Sequence, residues 1–141
     1  MKIKMKITAK QCLLFTVFFA ATLFVMLANS PRVETLQAEV TIKDDGFLGF
    51  AADPGIANFG SVPRGNVGER AIILRNENEF PETIKFTAKG EIGPWISFQE
   101  NNFVLGRNET KQVIVNVNVP NDAALGVHKG EIVTLMRRKW L

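Results

Sequence analysis

The 141-residue chain has one cysteine, one histidine and no tyrosine, and each shortage removes a class of function. Cys12 lies at the start of an N-terminal apolar run, so the rest of the chain has no disulfide available and must be held by burial alone. Antibody-type and knottin-like scaffolds are thereby disfavoured. Prokaryotic surface proteins often lack disulfides, and that is the expected origin. With His128 the sole histidine, the usual Zn donor set cannot be assembled, and Ser61 and Ser97 have only that imidazole to share as an activating base. His128 is expected to be a half-exposed strand residue without catalytic or metal role. Gly60 to Gly65 sits among predicted strands rather than between a strand and a helix, which argues against a phosphate loop. An enzyme is the least favoured class, and no cofactor is expected.

What is present begins with an export signal. Lys2, Lys4, Lys6 and Lys10 precede residues 12–28, CLLFTVFFAATLFVMLA, an uncharged run that the translocation machinery orients with its basic end inside. The remainder therefore faces outward. The run is slightly shorter than the ~20 residues that comfortably span a bilayer. Ala28-Asn29-Ser30 offers small residues for a peptidase, but Pro31 would follow the cut; Leu36-Gln37-Ala38 has a large residue where a small one is preferred. An uncleaved signal anchor is the favoured reading. Cys12 precedes the run, so a lipid-modified cysteine fits poorly.

The organisation read from the sequence is a basic cytoplasmic head at 1–11, the apolar segment at 12–28, a spacer at 29–38 and one domain at 39–141. Four of the 17 basic residues lie in the head and none of the 14 acids does, so the exported body is mildly acidic and no nucleic-acid partner is expected. After the spacer the hydrophobic period is two: Val40 and Ile42, then Ile84, Phe86 and Ala88, then Val113, Val115, Val117 and Val119 alternate with polar or outward-facing neighbours. Such alternation marks strands with one buried face. Turn chemistry separates them at Asp44-Asp45-Gly46, Asp53-Pro54-Gly55, Pro63-Arg64-Gly65, 76–81, 90–94, Gly106-Arg107-Asn108 and Pro120-Asn121-Asp122. Strands are predicted near 39–43, 47–51, 69–76, 82–89, 95–98, 110–119 and 129–137, with a short extended piece near 56–60. About seven strands on one core predict an all-β antiparallel sandwich. Phe47, Phe50, Phe59, Phe80, Phe86, Phe98 and Phe103 are expected to supply its bulk.

Two segments carry a family resemblance. Asn58-Phe59-Gly60-Ser61-Val62-Pro63-Arg64-Gly65 with Glu69 to Asn76 resembles the opening of immunoglobulin-like domains of the ASPM–SPD-2–hydin and major-sperm-protein group. Pro94-Trp95-Ile96-Ser97-Phe98, Phe103-Val104-Leu105, Glu109-Thr110-Lys111, the valine run to Pro120, and Ala123 to Ile132 resemble the closing half of immunoglobulin-like modules on archaeal and bacterial surface proteins. His128 stands where those modules usually have Tyr, and Gly106-Arg107-Asn108 replaces a Pro-Gly turn. Trp140 and Leu141 follow the last predicted strand directly, whereas such modules often continue into others, so a truncated product is one reading. The resemblance implies an immunoglobulin-like β-sandwich after an N-terminal hydrophobic helix; it implies a fold far better than a function.

Asp44, Asp45 and Asp53 match no calcium loop and are read as solvated turn residues. Asn108-Glu109-Thr110 is an N-glycosylation sequon in a predicted turn. Arg137, Arg138 and Lys139 with Trp140 can meet anionic headgroups, although a solvated strand end is favoured. The expected function is a non-enzymatic, membrane-anchored extracytoplasmic domain for adhesion, envelope architecture or surface protein assembly. An anchor plus one sandwich is also the layout of archaellum stator subunits. Its partners are the membrane, through the helix, and other envelope proteins, met through an edge strand or the face of Ile114, Asn116 and Asn118; a small-molecule ligand is not expected. The alternatives are a secreted accessory domain binding carbohydrate or protein after signal-peptide cleavage, and a pilus-type chaperone, which normally needs two such domains.

Overall fold

A computed structural model of the chain describes residues 8–44 and 55–140, in two compact units that divide at Ser30 and Pro31. The first unit is an α-helix, α1, at Ala9–Ala28. Its start is tied by the Gln11 side chain, which accepts from the Thr8 N–H at 3.0 Å and from the Thr8 hydroxyl at 3.1 Å. Twenty residues at 1.5 Å each give about 30 Å, the thickness of a bilayer's hydrocarbon core. The helix is long and apolar enough to cross a membrane; a signal sequence has the same length and composition.

The second unit is almost entirely β. Eight strands are found among the described residues: β1 Arg32–Ile42, β2 Ile56–Val62, β3 Val67–Arg75, β4 Glu82–Gly90, β5 Ile96–Phe98, β6 Phe103–Leu105, β7 Thr110–Asn118 and β8 Gly126–Arg138. A single 3₁₀ turn at Gly93–Trp95 leads into β5, so Trp95 belongs to a turn rather than to the strand predicted at 95–98. The strand expected at 47–51 lies outside the described residues, as do Phe47 and Phe50.

One sheet has the order β2-β1-β8-β4-β6 and the other β3-β7-β5. Both contribute to one core. Val40, Ile42, Val62, Ile84, Phe86, Leu105 and Ile132 of the larger sheet meet Val113, Val115 and Val117 of the smaller. The β7 valines are buried every second residue, as the alternation requires. Phenylalanine bridges the sheets where Phe86 of β4 stacks on Phe98 of β5 at 5.0 Å. Phe59 and Phe103 are also buried, but Phe80 is not a core residue.

The stretch read as a spacer at 29–38 is mostly strand. β1 begins at Arg32 and pairs with β8 without interruption from Arg32 opposite Met136 to Ile42 opposite Gly126. Its first half shows no alternation because Arg32 to Leu36 pair only with β8 among the described residues and stay largely open, whereas Ala38, Val40 and Ile42 are fully buried. β1 also pairs with β2 in parallel, with a register shift between Glu39 and Thr41. The short edge strand β6 covers only the start of β4. Farther along, the Asn101 side chain takes a strand's place, accepting from the Phe86 N–H at 2.8 Å and donating to the Phe86 carbonyl at 3.1 Å.

Candidate functional site

His128 opens the inner face of β8, on the same side as Ile132 and Met136, and is 7% exposed rather than half-exposed. Both ring nitrogens are engaged. Nδ1 lies 2.6 Å from Glu91 Oε1, just after β4, and Nε2 lies 2.8 Å from the Ala124 carbonyl in the turn before β8. The Trp95 ring leans on the imidazole at 5.3 Å. A carboxylate and a carbonyl are both acceptors, so this geometry is satisfied only when both ring nitrogens carry protons. The bond to Ala124, then the bond to Glu91, raise the His128 pKa, with the Glu91 charge adding to them and burial opposing them. Neither nitrogen is left to activate a serine, and Ser97 instead accepts from the Asn118 side chain at 3.2 Å. The arrangement is a proton-dependent clamp that joins the connection between β4 and β5 to the turn before β8.

The sign of its pH dependence follows. A folded pKa above the unfolded value near 6.5 gives a stabilisation fully present below about pH 6.5 and lost as pH rises through the folded value. His128→Gln is expected to cost about 1 kcal/mol in mild acid, discounted because the Glu91 carboxylate is more than half exposed, and to flatten the dependence. Urea midpoints measured across neutrality check this; parallel wild-type and variant profiles would refute the clamp.

The opposite end is organised by Asn76, which is 1% exposed. Its Nδ2 donates to the carbonyls of Phe80 at 2.8 Å, Gly106 at 2.9 Å and Leu105 at 3.3 Å, and its Oδ1 accepts from the Asn78 N–H at 3.0 Å. The bonds to Asn78 and Phe80 stay within the loop after β3; those to Leu105 and Gly106 tie that loop to the end of β6. Beside it, the basic tail is exposed from Arg137 to Trp140 and also makes local contacts. Arg138 lies over Phe80 at 4.3 Å and over Trp140 at 4.4 Å, and the Lys139 N–H donates to the Pro81 carbonyl at 2.9 Å. Phe80, Arg107, Arg138, Lys139 and Trp140 border an open cleft of about 690 Å³.

Asn108 occupies the turn between β6 and β7 with φ 54°, a left-handed conformation that asparagine tolerates better than most residues, and it is exposed. Asp44 pairs with Arg64 at 3.7 Å, while Asp45 and Asp53 lie outside the described residues. Among the described residues, no group of three or more metal-ligating side chains converges. On the outer face of β7, Ile114 and Asn116 are half-buried, and Asn118 donates to the Trp95 carbonyl at 3.1 Å. Comparison of the chain with protein-family models, with curated proteins and with solved structures finds no match.

Proposed function

We propose that this is a membrane-anchored, extracytoplasmic immunoglobulin-like domain that acts without catalysis in adhesion, envelope architecture or surface protein assembly. The strand order supports the fold reading. β3-β7-β5 follows the B-E-D order of an immunoglobulin sheet, and β4-β8-β1 follows C-F-G, with β1 in the place that the last strand normally takes. The observation that carries the anchoring is the short passage from helix to sheet: only Asn29, Ser30 and Pro31 separate Ala28 from Arg32. An apolar helix thus runs almost directly into a strand of the domain. A peptidase cut after Ala38, which is 1% exposed, would sever β1 and remove the part paired with 130–136 of β8.

Fractionation of the expressing cell, with N-terminal sequencing of the product, tests this reading. Intact chain is expected in the membrane, resistant to carbonate extraction and accessible to protease only from outside. A shortened chain in the medium would overturn the anchor and favour the secreted binding domain.

A further inference from the structure

We infer that β1 is an exchangeable strand, and that copies of this chain assemble by placing β1 of one copy between β8 and β2 of another. The inference deepens the assembly reading above and rests on it. β1 is an insert in its sheet: it holds β8 through eleven residue pairs on one side, and it is the sole hydrogen-bonded neighbour of β2 among the described residues. Its inward side chains Ala38, Val40 and Ile42 are 1%, 0% and 1% exposed. The slot is therefore deep, and leaving it empty would uncover the edge of β8 and strand β2.

The same slot can be filled by another copy with the same pairings to β8 and β2. A second chain brings an identical β1, with the same buried side chains, the same approach of Lys129 to Glu39 at 3.5 Å and the same bond from Gln37 to Glu131 at 3.2 Å. The two arrangements differ only in the path of the connecting chain and in the entropy of association, which makes exchange a low-cost route to assembly. The connection is long enough. Residues 43–55 join Ile42 to Ile56, and since Ile56 lies opposite Gln37 they need cover only about 17 Å when β1 fills its own slot. Fully extended they reach roughly 45 Å, more than the ~36 Å length of β1 itself. The anchor supplies the remaining condition. With three residues between α1 and β1, copies in one membrane hold their β1 strands confined near a common surface, which raises the effective concentration of each strand for its neighbours' slots.

The test uses the full chain in its membrane, with Cys12→Ser to remove the only native thiol. Glu39 and Lys129 face each other across β1 and β8, so a chain carrying both Glu39→Cys and Lys129→Cys verifies that the pair can form a disulfide. Two differently tagged copies, one with Glu39→Cys and one with Lys129→Cys, are then co-expressed. Exchange predicts a reducible crosslink joining the two tags in a substantial fraction of molecules. It also predicts at least tenfold less crosslinking when Lys129→Cys is replaced by Lys85→Cys on β4, which does not pair with β1. Only uncrosslinked mixed copies, with the double variant closing within single chains, would overturn the proposal, as would equal crosslinking at both positions, the mark of random collision. Failure of exchange in a membrane-bound chain leaves the anchor standing, whereas failure of the anchor is read by fractionation.

Discussion

Replacing Asn76 by alanine is expected to lower the stability of the domain by about 3 kcal/mol, and replacing it by aspartate by more. Alanine leaves three carbonyls and one N–H without the partner that the buried Asn76 side chain supplies, at roughly 1 kcal/mol or above for each group that finds no substitute. Aspartate is nearly the same shape, so it creates no cavity, but it turns the donating end into a second acceptor facing the carbonyls of Phe80, Leu105 and Gly106. That inversion isolates the hydrogen bonds from the packing. At 4–8 °C per kcal/mol for a domain of about this size, the alanine variant should melt ~15 °C below the parent. Thermal unfolding of the two variants in the same detergent checks the order. An aspartate variant as stable as the parent would mean that the joint between the two loops contributes little.

The functional consequence lies in what Asn76 joins. The loop after β3 and the loop after β6 each cross from one sheet to the other, and the Asn76 backbone adds a third tie between them by donating to the Glu109 carbonyl at 2.9 Å. The exposed turn bearing Asn108 and the cleft around Arg138 are built on this joint. Loosening it would disturb every candidate surface at that end without touching the core valines.

The alternating segments are the part of this fold that sequence reasoning reaches. Val113, Val115 and Val117 advertise an inner face because polar or half-buried neighbours stand between them, and Ile84 with Phe86 does the same on β4. β1 is hidden by the opposite circumstance: its first half runs past the end of β2 and stays open, so Val33 and Glu34 are both exposed and periodicity carries no signal there. Its position between β8 and β2 depends on pairing across the whole domain, which local pattern does not encode. β6 alternates in burial, but its three residues, Phe103, Val104 and Leu105, are all apolar, so the alternation leaves no mark in the sequence. His128 carried a usable signal, since it shares parity with Ile132 and Met136; extending the strand three residues towards the N-terminus places it inward. Its partner Glu91 stands 37 positions away and had none. Asn76 was recognisable as a turn residue, but its reach into the loop after β6 is a tertiary fact.

Gly130→Val is expected to cost about 3 kcal/mol, and Gly130→Ala about 2, at the upper part of the range for overpacked sites. Gly130 sits in the middle of β8 between Ala38 of β1 and Gly90 of β4. A β-carbon there would stand 2.7 Å from Ile92 Cγ1 and 2.7 Å from the Lys89 carbonyl oxygen. Neither obstacle can turn aside: one is backbone, and the other belongs to a side chain with no exposed surface. The strands β4 and β8 must therefore part, and β8 is also the wall of the slot that β1 fills. Trimming Ile92 to alanine opens a cavity and is costly in the parent, but it should cost less in the Gly130→Ala background, because one of the two obstacles is then removed while the Lys89 carbonyl remains. A double-mutant cycle over these two positions measures that coupling, expected at about 1 kcal/mol. A neutral Gly130→Ala, or purely additive losses, would show that the sheet yields at this point. The close packing of β8 against β4 would then not be what holds the β1 slot to its width.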